Sequence, residues 1–203
     1  RIPLPPRKVN LPVTLRALPE DFFKSAEPKV LRLDGSSAIR VESAEHSLPD
    51  GPFTVEVRVL PASATVNGDL ISKAEQSEYA LNLSNSVPGF HAFIDGRYTS
   101  AIAQDALPAG QWAHLAGVFD GKALTLYVNG KPAATVPAAG PRKMNPLPLF
   151  IGANPDARSA PTQFYTGALD EVRISSVARY IEAFTPATTF SRDDSTVLLF
   201  HCD

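Results

Sequence analysis

Breaking a bond in a sugar, peptide or ester needs reactive groups that converge at short range, and this chain offers few. Glycosidic cleavage calls for two carboxyl groups, one to protonate the leaving oxygen and one to attack or to activate water. The adjacent pair Asp170-Glu171 does not qualify, because neighbours on a regular strand point to opposite faces. His46, His91, His114 and His201 lack metal-ligand spacing, and no Gly-x-Ser-x-Gly turn presents a nucleophilic serine. The single cysteine, Cys202, excludes an internal disulfide and any multi-cysteine metal site, and reads as a structural thiol.

Binding chemistry is better supplied. Aromatic faces pack on the C–H surfaces of sugars, while amides and hydroxyls bond their hydroxyl groups. Asn82 falls on the polar phase of its strand, and His91, Phe93 and Asp95 share a phase opposite Phe90, Ala92 and Ile94. Arg97 and Tyr98 follow a turn at Asp95-Gly96. Asn82, His91, Asp95, Arg97 and Tyr98 are therefore the candidate ligand-binding residues. The competing reading makes Phe93 core and the others the wet face of a sandwich. His114 reads as a satisfied, partly buried strand residue, and Trp112 as a packing ring rather than a sugar platform.

The elements that must position these groups are strands. In residues 112–118 Trp112, His114, Ala116 and Val118 alternate with Ala113, Leu115 and Gly117, and in residues 124–129 Leu124, Leu126 and Val128 alternate with Thr125, Tyr127 and Asn129. Asp120-Gly121 and Asn129-Gly130 supply pairs that tolerate the positive φ of two-residue hairpin turns, so the two runs should pair antiparallel. Residues 53–59 alternate most cleanly, with Phe53, Val55, Val57 and Val59 inward and Thr54, Glu56 and Arg58 outward. Further strands are expected over 30–33, 38–41, 69–73, 79–83, 90–94, 98–103 and 196–201, the last buried on both faces. Residues 176–184 are the one expected helix, a turn or two long. Residues 132–147 read as a long loop around a weak strand, and 154–163 as a polar, mobile loop. The prolines of residues 1–29 read as a linker or N-terminal extension, with the domain proper spanning 30–203.

Composition agrees with one all-β domain. Of the 203 residues, 44% are hydrophobic, enough for a core, and the formal net charge of -2 offers no basic footprint for nucleic acid. No apolar run approaches the roughly 18 residues of a membrane span. The chain begins at Arg1 and reads as a segment of something longer.

The run from Trp112 through Phe119-Asp120-Gly121 to Leu124-Thr125-Leu126-Tyr127-Val128-Asn129-Gly130 resembles the core hairpin of laminin-G-like domains, members of the concanavalin A-like lectin/glucanase superfamily. Other pieces follow in the family's order: Leu31-Arg32-Leu33-Asp34-Gly35, Phe150-Ile151-Gly152-Ala153-Asn154, Gly167-Ala168-Leu169-Asp170-Glu171-Val172-Arg173-Ile174, and Ala178-Arg179-Tyr180 with Phe184-Thr185-Pro186. The resemblance implies an antiparallel β-sandwich of jelly-roll type, with the C-terminal strand beside an early one. It also implies an extracellular or cell-surface setting, and a calcium ion held by Asp34 and Asp170 with backbone carbonyls. The superfamily's glycan-cleaving enzymes often carry Glu-x-Asp-x-x-Glu or a close variant, and no Glu-x-Asp occurs in this chain. The expected function is therefore a non-catalytic carbohydrate-binding module of a larger secreted or surface protein. The alternative is a protein-interaction or structural spacer domain that contacts its neighbours in the same chain. A nucleic-acid partner and membrane insertion are not expected.

Overall fold

The computed structural model describes residues 29–42 and 48–202, so the proline-rich N-terminal stretch through residue 28 and His46 lie outside the described residues. Strands follow in the order β1 (Leu31–Asp34), β2 (Ile39–Val41), β3 (Phe53–Pro61), β4 (Gly68–Ser72), β5 (Tyr79–Ser84), β6 (Val87–Ile94), β7 (Arg97–Ile102), β8 (Ala113–Phe119), β9 (Ala123–Val128), β10 (Lys131–Pro137), β11 (Leu149–Ile151), β12 (Asn154–Pro155), β13 (Pro161–Thr162), β14 (Thr166–Ser175) and β15 (Thr196–Phe200). Among the described residues there is no helix, and none that could cross a membrane.

Two antiparallel sheets make the sandwich. The first runs β1-β14-β3-β8-β9-β10, with β15 also on β14; the second runs β2-β11-β4-β5-β6-β7. Their inner faces interdigitate around Phe53, which is fully buried among Tyr79, Phe90 and Phe119 at ring separations of 5.2, 5.9 and 6.0 Å. Val55, Val57, Val59, Leu81, Leu115 and Leu126 complete this layer, as period two requires.

The central hairpin forms with Phe119 opposite Leu124 and Leu115 opposite Val128. Trp112 stands just outside it, half-buried under the Arg58 guanidinium at 5.3 Å. The Asp120-Gly121 connection is longer than the expected two residues. Asp120 Oδ1 accepts the N–H groups of Lys122 and Ala123, both at 2.7 Å, which closes a wider loop. Two-residue turns are found at Asn129-Gly130 (φ 49° and 76°), Asp95-Gly96 (φ 50° and 76°) and Asn85-Ser86 (φ 50° and 62°), positive at both positions as type I′ requires.

Several expectations need correction. Residues 176–184 form an irregular strap in place of a helix. The stretch 154–163 is a small ribbon, β12 against β13, and 131–137 is the edge strand β10, with a register shift between Pro132 and Ala134. β15 pairs with β14, on the edge that β1 also occupies, so it lies end to end with an early strand rather than beside one. It is only partly buried, because nothing pairs with its other side among the described residues.

The strap explains a further difference. Thr54 and Glu56 do project from the outer face of the first sheet, yet both are 0% exposed. Ala178, Tyr180 and Phe184 pack there on Ala116, Val118 and Tyr127, with the Tyr180 and Phe184 rings stacked at 3.5 Å. Beneath them Glu56 accepts hydrogen bonds from Arg173 Nε at 2.7 Å, Tyr180 Oη at 2.8 Å and His114 Nε2 at 3.1 Å. The Arg173 guanidinium lies 4.5 Å from the Phe190 ring centre. Burial alone would raise the Glu56 carboxyl; its bonds from His114 and Arg173 outweigh that and hold it below the ordinary carboxylate value. This face is closed by the chain itself.

Candidate functional site

The outer face of the second sheet carries a groove instead. Its main depression, about 420 Å³, is lined by Asp69, Glu75, Gln76, Asn82, His91 and Tyr98, with Asn154 and Gln163 on one wall. Two further depressions adjoin it, one past Asn67, Asp69 and Gln163, the other past Val87, Gly89 and Ile102. Asn82 lines all three.

Strand alternation builds the floor. On β5, Leu81 and Leu83 face the core, so Ala80 and Asn82 face the groove; on β6, Phe90 and Ala92 face the core, so Gly89 and His91 face outward. Across β6 and β7, His91 opposes Ser100. His91 Nδ1 lies 2.7 Å from Ser100 Oγ and Nε2 lies 3.2 Å from Asn82 Oδ1. Because a carbonyl oxygen can only accept, Nε2 carries the hydrogen and Nδ1 accepts from the serine. Burial lowers the imidazole pKa, so the ring stays neutral at physiological pH. With its oxygen engaged, Asn82 is fixed so that its amide hydrogens are the groups left for a ligand.

Gly89 makes this arrangement possible. A Cβ there would lie 2.7 Å from Asn82 Oδ1 and 2.8 Å from His91 Nε2, so a larger residue would separate the pair.

Asp69 is the unusual member. It opposes Asn82 at a register shift between Asp69 and Ile71, a bulge that re-aims one side chain. It is 3% exposed, and no hydrogen bond or ion pair from the described residues reaches its carboxylate. Burial pushes its pKa up to about 7.

Tyr98 is partly exposed and locked: its ring meets Phe93 edge-on at 5.1 Å, and its hydroxyl donates to the Ser77 carbonyl at 3.2 Å. The rim loop that holds Ser77 is strained, with φ 49° at Gln76 and 51° at Glu78. A buried cluster holds it in place. Lys73 Nζ donates to Glu78 Oε1 at 3.1 Å and to the Asn145 carbonyl at 2.6 Å, while Asn145 Nδ2 donates to Ser77 Oγ at 2.7 Å. On the opposite wall Ser72 Oγ donates to Asn154 Oδ1 at 2.6 Å.

Of the residues singled out in the sequence, Asn82, His91 and Tyr98 come together. Asp95 and Arg97 do not line the groove. Asp95 sits in the β6–β7 turn, its N–H on the Pro141 carbonyl, and Arg97 shares the phase of core-facing Ala101, opposite to Tyr98. Asp69, Asn154 and Gln163 escaped the sequence reading. The one signal was an acidic residue opening the apolar run Asp69-Leu70-Ile71.

The calcium pair is not assembled either. Asp34 opposes Thr166 on β14, four residues from Asp170, which at about 3.3 Å per residue places them roughly 13 Å apart. Asp34 Oδ1 accepts from Ser36 N and Oγ and Ser37 Oγ within its own turn. Asp170 Oδ2 lies 3.6 Å from Arg58 Nη1. No group of three or more His, Cys, Asp or Glu among the described residues is placed to hold a metal. These residues do not fit a shared calcium shell.

Residues 33–181 match the concanavalin A-like lectin/glucanases superfamily through its laminin G-like branch. The chain belongs to this superfamily. Its sandwich is similar to domains LG4-5 of the mouse laminin alpha1 chain (TM-score 0.61, 18% identity, 81% of this chain and 47% of that one). It is also similar to a putative carbohydrate binding protein from Bacteroides ovatus (TM-score 0.66, 14% identity, 84% and 52%). A third likeness is domain 4 of an extracellular GH43 arabinanase from Geobacillus stearothermophilus, solved with arabinotriose (TM-score 0.56, 20% identity, 73% and 71%). This laminin G-like chain spans about half the length of the first two. At these identities the likeness establishes the fold alone. No curated protein matches the chain in sequence.

Proposed function

We propose that this laminin G-like domain is a non-catalytic carbohydrate-binding module, working outside the cell or at its surface within a larger protein. The observation that carries the reading is the groove itself. It holds a buried carboxylate without a partner among the described residues, a fixed amide beside it and a rigid tyrosine at its edge. Those are the groups that accept from, donate to and stack on a sugar. That structurally similar domains include a carbohydrate binding protein and an arabinanase domain solved with arabinotriose supports the class of ligand. Turnover is disfavoured because the chain carries no Glu-x-Asp strand of the kind that supplies a convergent carboxyl pair in the superfamily's glycan-cleaving enzymes.

The test is a broad glycan screen at high protein concentration, with product analysis of every glycan bound. Binding without cleavage, weakened by Asn82→Ala, supports the reading. Absence of binding to any glycan hands the case to a protein-interaction or spacer role.

A further inference from the structure

The groove's charge inventory goes further than its shape. Asp69 and Glu75 are carboxylates; Gln76, Asn82, Asn154 and Gln163 are amides; His91 is neutral. No lysine or arginine lines any of the three adjoining depressions among the described residues. The nearby cations are committed elsewhere: Lys73 and Arg142 lie against Glu78, and Lys143 lies over the Phe93 ring. We propose that the groove selects neutral glycans bearing adjacent free hydroxyls and rejects acidic ones, with Asp69 as the specificity-determining residue. The proposal rests on the glycan-binding reading above.

The physical case has two halves. A carboxylate that is 3% exposed and unpartnered is costly to leave bare, so it favours a ligand that brings hydrogen-bond donors. Two vicinal hydroxyls can satisfy both of its oxygens while Asn82 Nδ2 donates to a neighbouring sugar oxygen. Above about pH 7, where Asp69 is ionised, a uronate, sialate or sulfate would instead bring a second anion into the same half-closed space, with no cation from the described residues lining it. Like charges juxtaposed in a desolvated site repel strongly enough for about a tenfold preference. The bulge is what creates this situation. Without the register shift the side chain in Asp69's place would follow the strand's ordinary alternation.

The experiment uses the full chain and matched glycan pairs that differ only in charge: lactose and its sialylated form, xylan and glucuronoxylan oligosaccharides, and neutral and sulfated galactans. Affinities are read by titration calorimetry. The unmodified chain should bind at least one neutral member, and that member's acidic counterpart about tenfold or more weakly. Asp69→Asn should lower affinity for the neutral member about tenfold and narrow the gap between partners. Gln76→Lys, an exchange at an exposed rim position, should narrow it from the other side by admitting the acidic ligand. Selectivity is read on the unmodified chain, so the result does not depend on whether a variant folds. Equal or better binding of acidic members overturns the proposal while leaving glycan binding intact. Neutral binding that Asp69→Asn leaves unchanged overturns the role of Asp69. Failure to bind any member of any pair, or any glycan in the broader screen, overturns the underlying reading with it.

Discussion

Both sheets of this sandwich carry a buried carboxylate on the outer face, Glu56 on one and Asp69 on the other, and the two are treated in opposite ways. Glu56, under the strap, receives bonds from Arg173, Tyr180 and His114, and its pKa falls. Asp69, in the groove, receives none from the described residues, and its pKa rises to about 7. Desolvation acts on both; only the partners differ. Where the chain supplies the donors, the carboxylate ties elements together. Where it leaves them out, the deficit is available to a ligand. On the proposed function, stability and recognition are divided between the two faces.

The largest expected effect comes from removing the satisfied carboxylate. Glu56→Gln leaves Arg173, itself only 8% exposed, without its countercharge. Breaking a buried pair from one side typically costs about 3–5 kcal/mol, so the urea midpoint at pH 7 should drop sharply. A loss below about 1 kcal/mol would mean that the strap is held by its aromatic packing and not by this network.

Asp69→Asn should go the other way. A folded pKa raised from 3.8 to about 7 means the native state binds a proton that the unfolded chain has released. Stability from this group is therefore fully present below pH 4 and is lost as pH rises through about 7. Those three or so units bound the penalty at about 4 kcal/mol. The variant should be more stable than the parent at pH 8, equal to it near pH 4, and poorer at binding. Glu56 has the opposite sign: its contribution is present above the ordinary carboxylate range and disappears as pH falls through the lowered value. Unfolding curves of parent and variant from pH 4 to 8 separate the two contributions. Parallel pH profiles would show that Asp69 is compensated by something other than protein.

A smaller effect is expected from Gly89→Ala. The added methyl contacts only the ends of two flexible side chains, Asn82 and His91, so the strand should survive with a cost of about 1 kcal/mol. Binding should fall further than stability, because the amide hydrogens of Asn82 lose their fixed direction. Unchanged affinity would show that the Asn82–His91 bond does not orient the ligand.

How much of this was legible beforehand follows from what alternation can and cannot say. Period two correctly assigned phase to Asn82 and His91, because phase is a local property of one strand. It also placed Glu56 outward, which is right. The cover over Glu56 could not be read, since it arrives from Tyr180, 124 positions away, in a strap with no periodic pattern of its own. Asp69 was missed for a related reason: that a buried carboxylate lacks partners is a property of everything around it. The Asp34–Asp170 pairing failed on register, which no local motif fixes between distant strands.

The smallest effect tests the comparison at the scale of one strand. Arg97 and Tyr98 are neighbours in sequence, and both are exposed at the start of β7. Adjacent side chains leave a strand on opposite sides, and Tyr98 takes the groove side with Ser100, whose hydroxyl pairs with His91. Arg97 shares the phase of Ala101, at a sheet end where that phase meets solvent rather than core. Tyr98→Ala removes the edge-on contact with Phe93 and the bond to the Ser77 carbonyl, so it should weaken binding by about 1 kcal/mol and loosen the rim loop. Arg97→Ala, and Asp95→Ala in the preceding turn, touch neither the floor nor the walls of the groove. Both should leave glycan affinity within about 0.5 kcal/mol of the parent; Arg97→Ala should leave stability there too, while Asp95→Ala, at φ 50° in its turn, should cost about 1 kcal/mol of stability. Calorimetry on the three variants side by side decides it. A loss for Arg97→Ala as large as that for Tyr98→Ala would move the binding surface off the outer face and onto the β6–β7 end of the sheet.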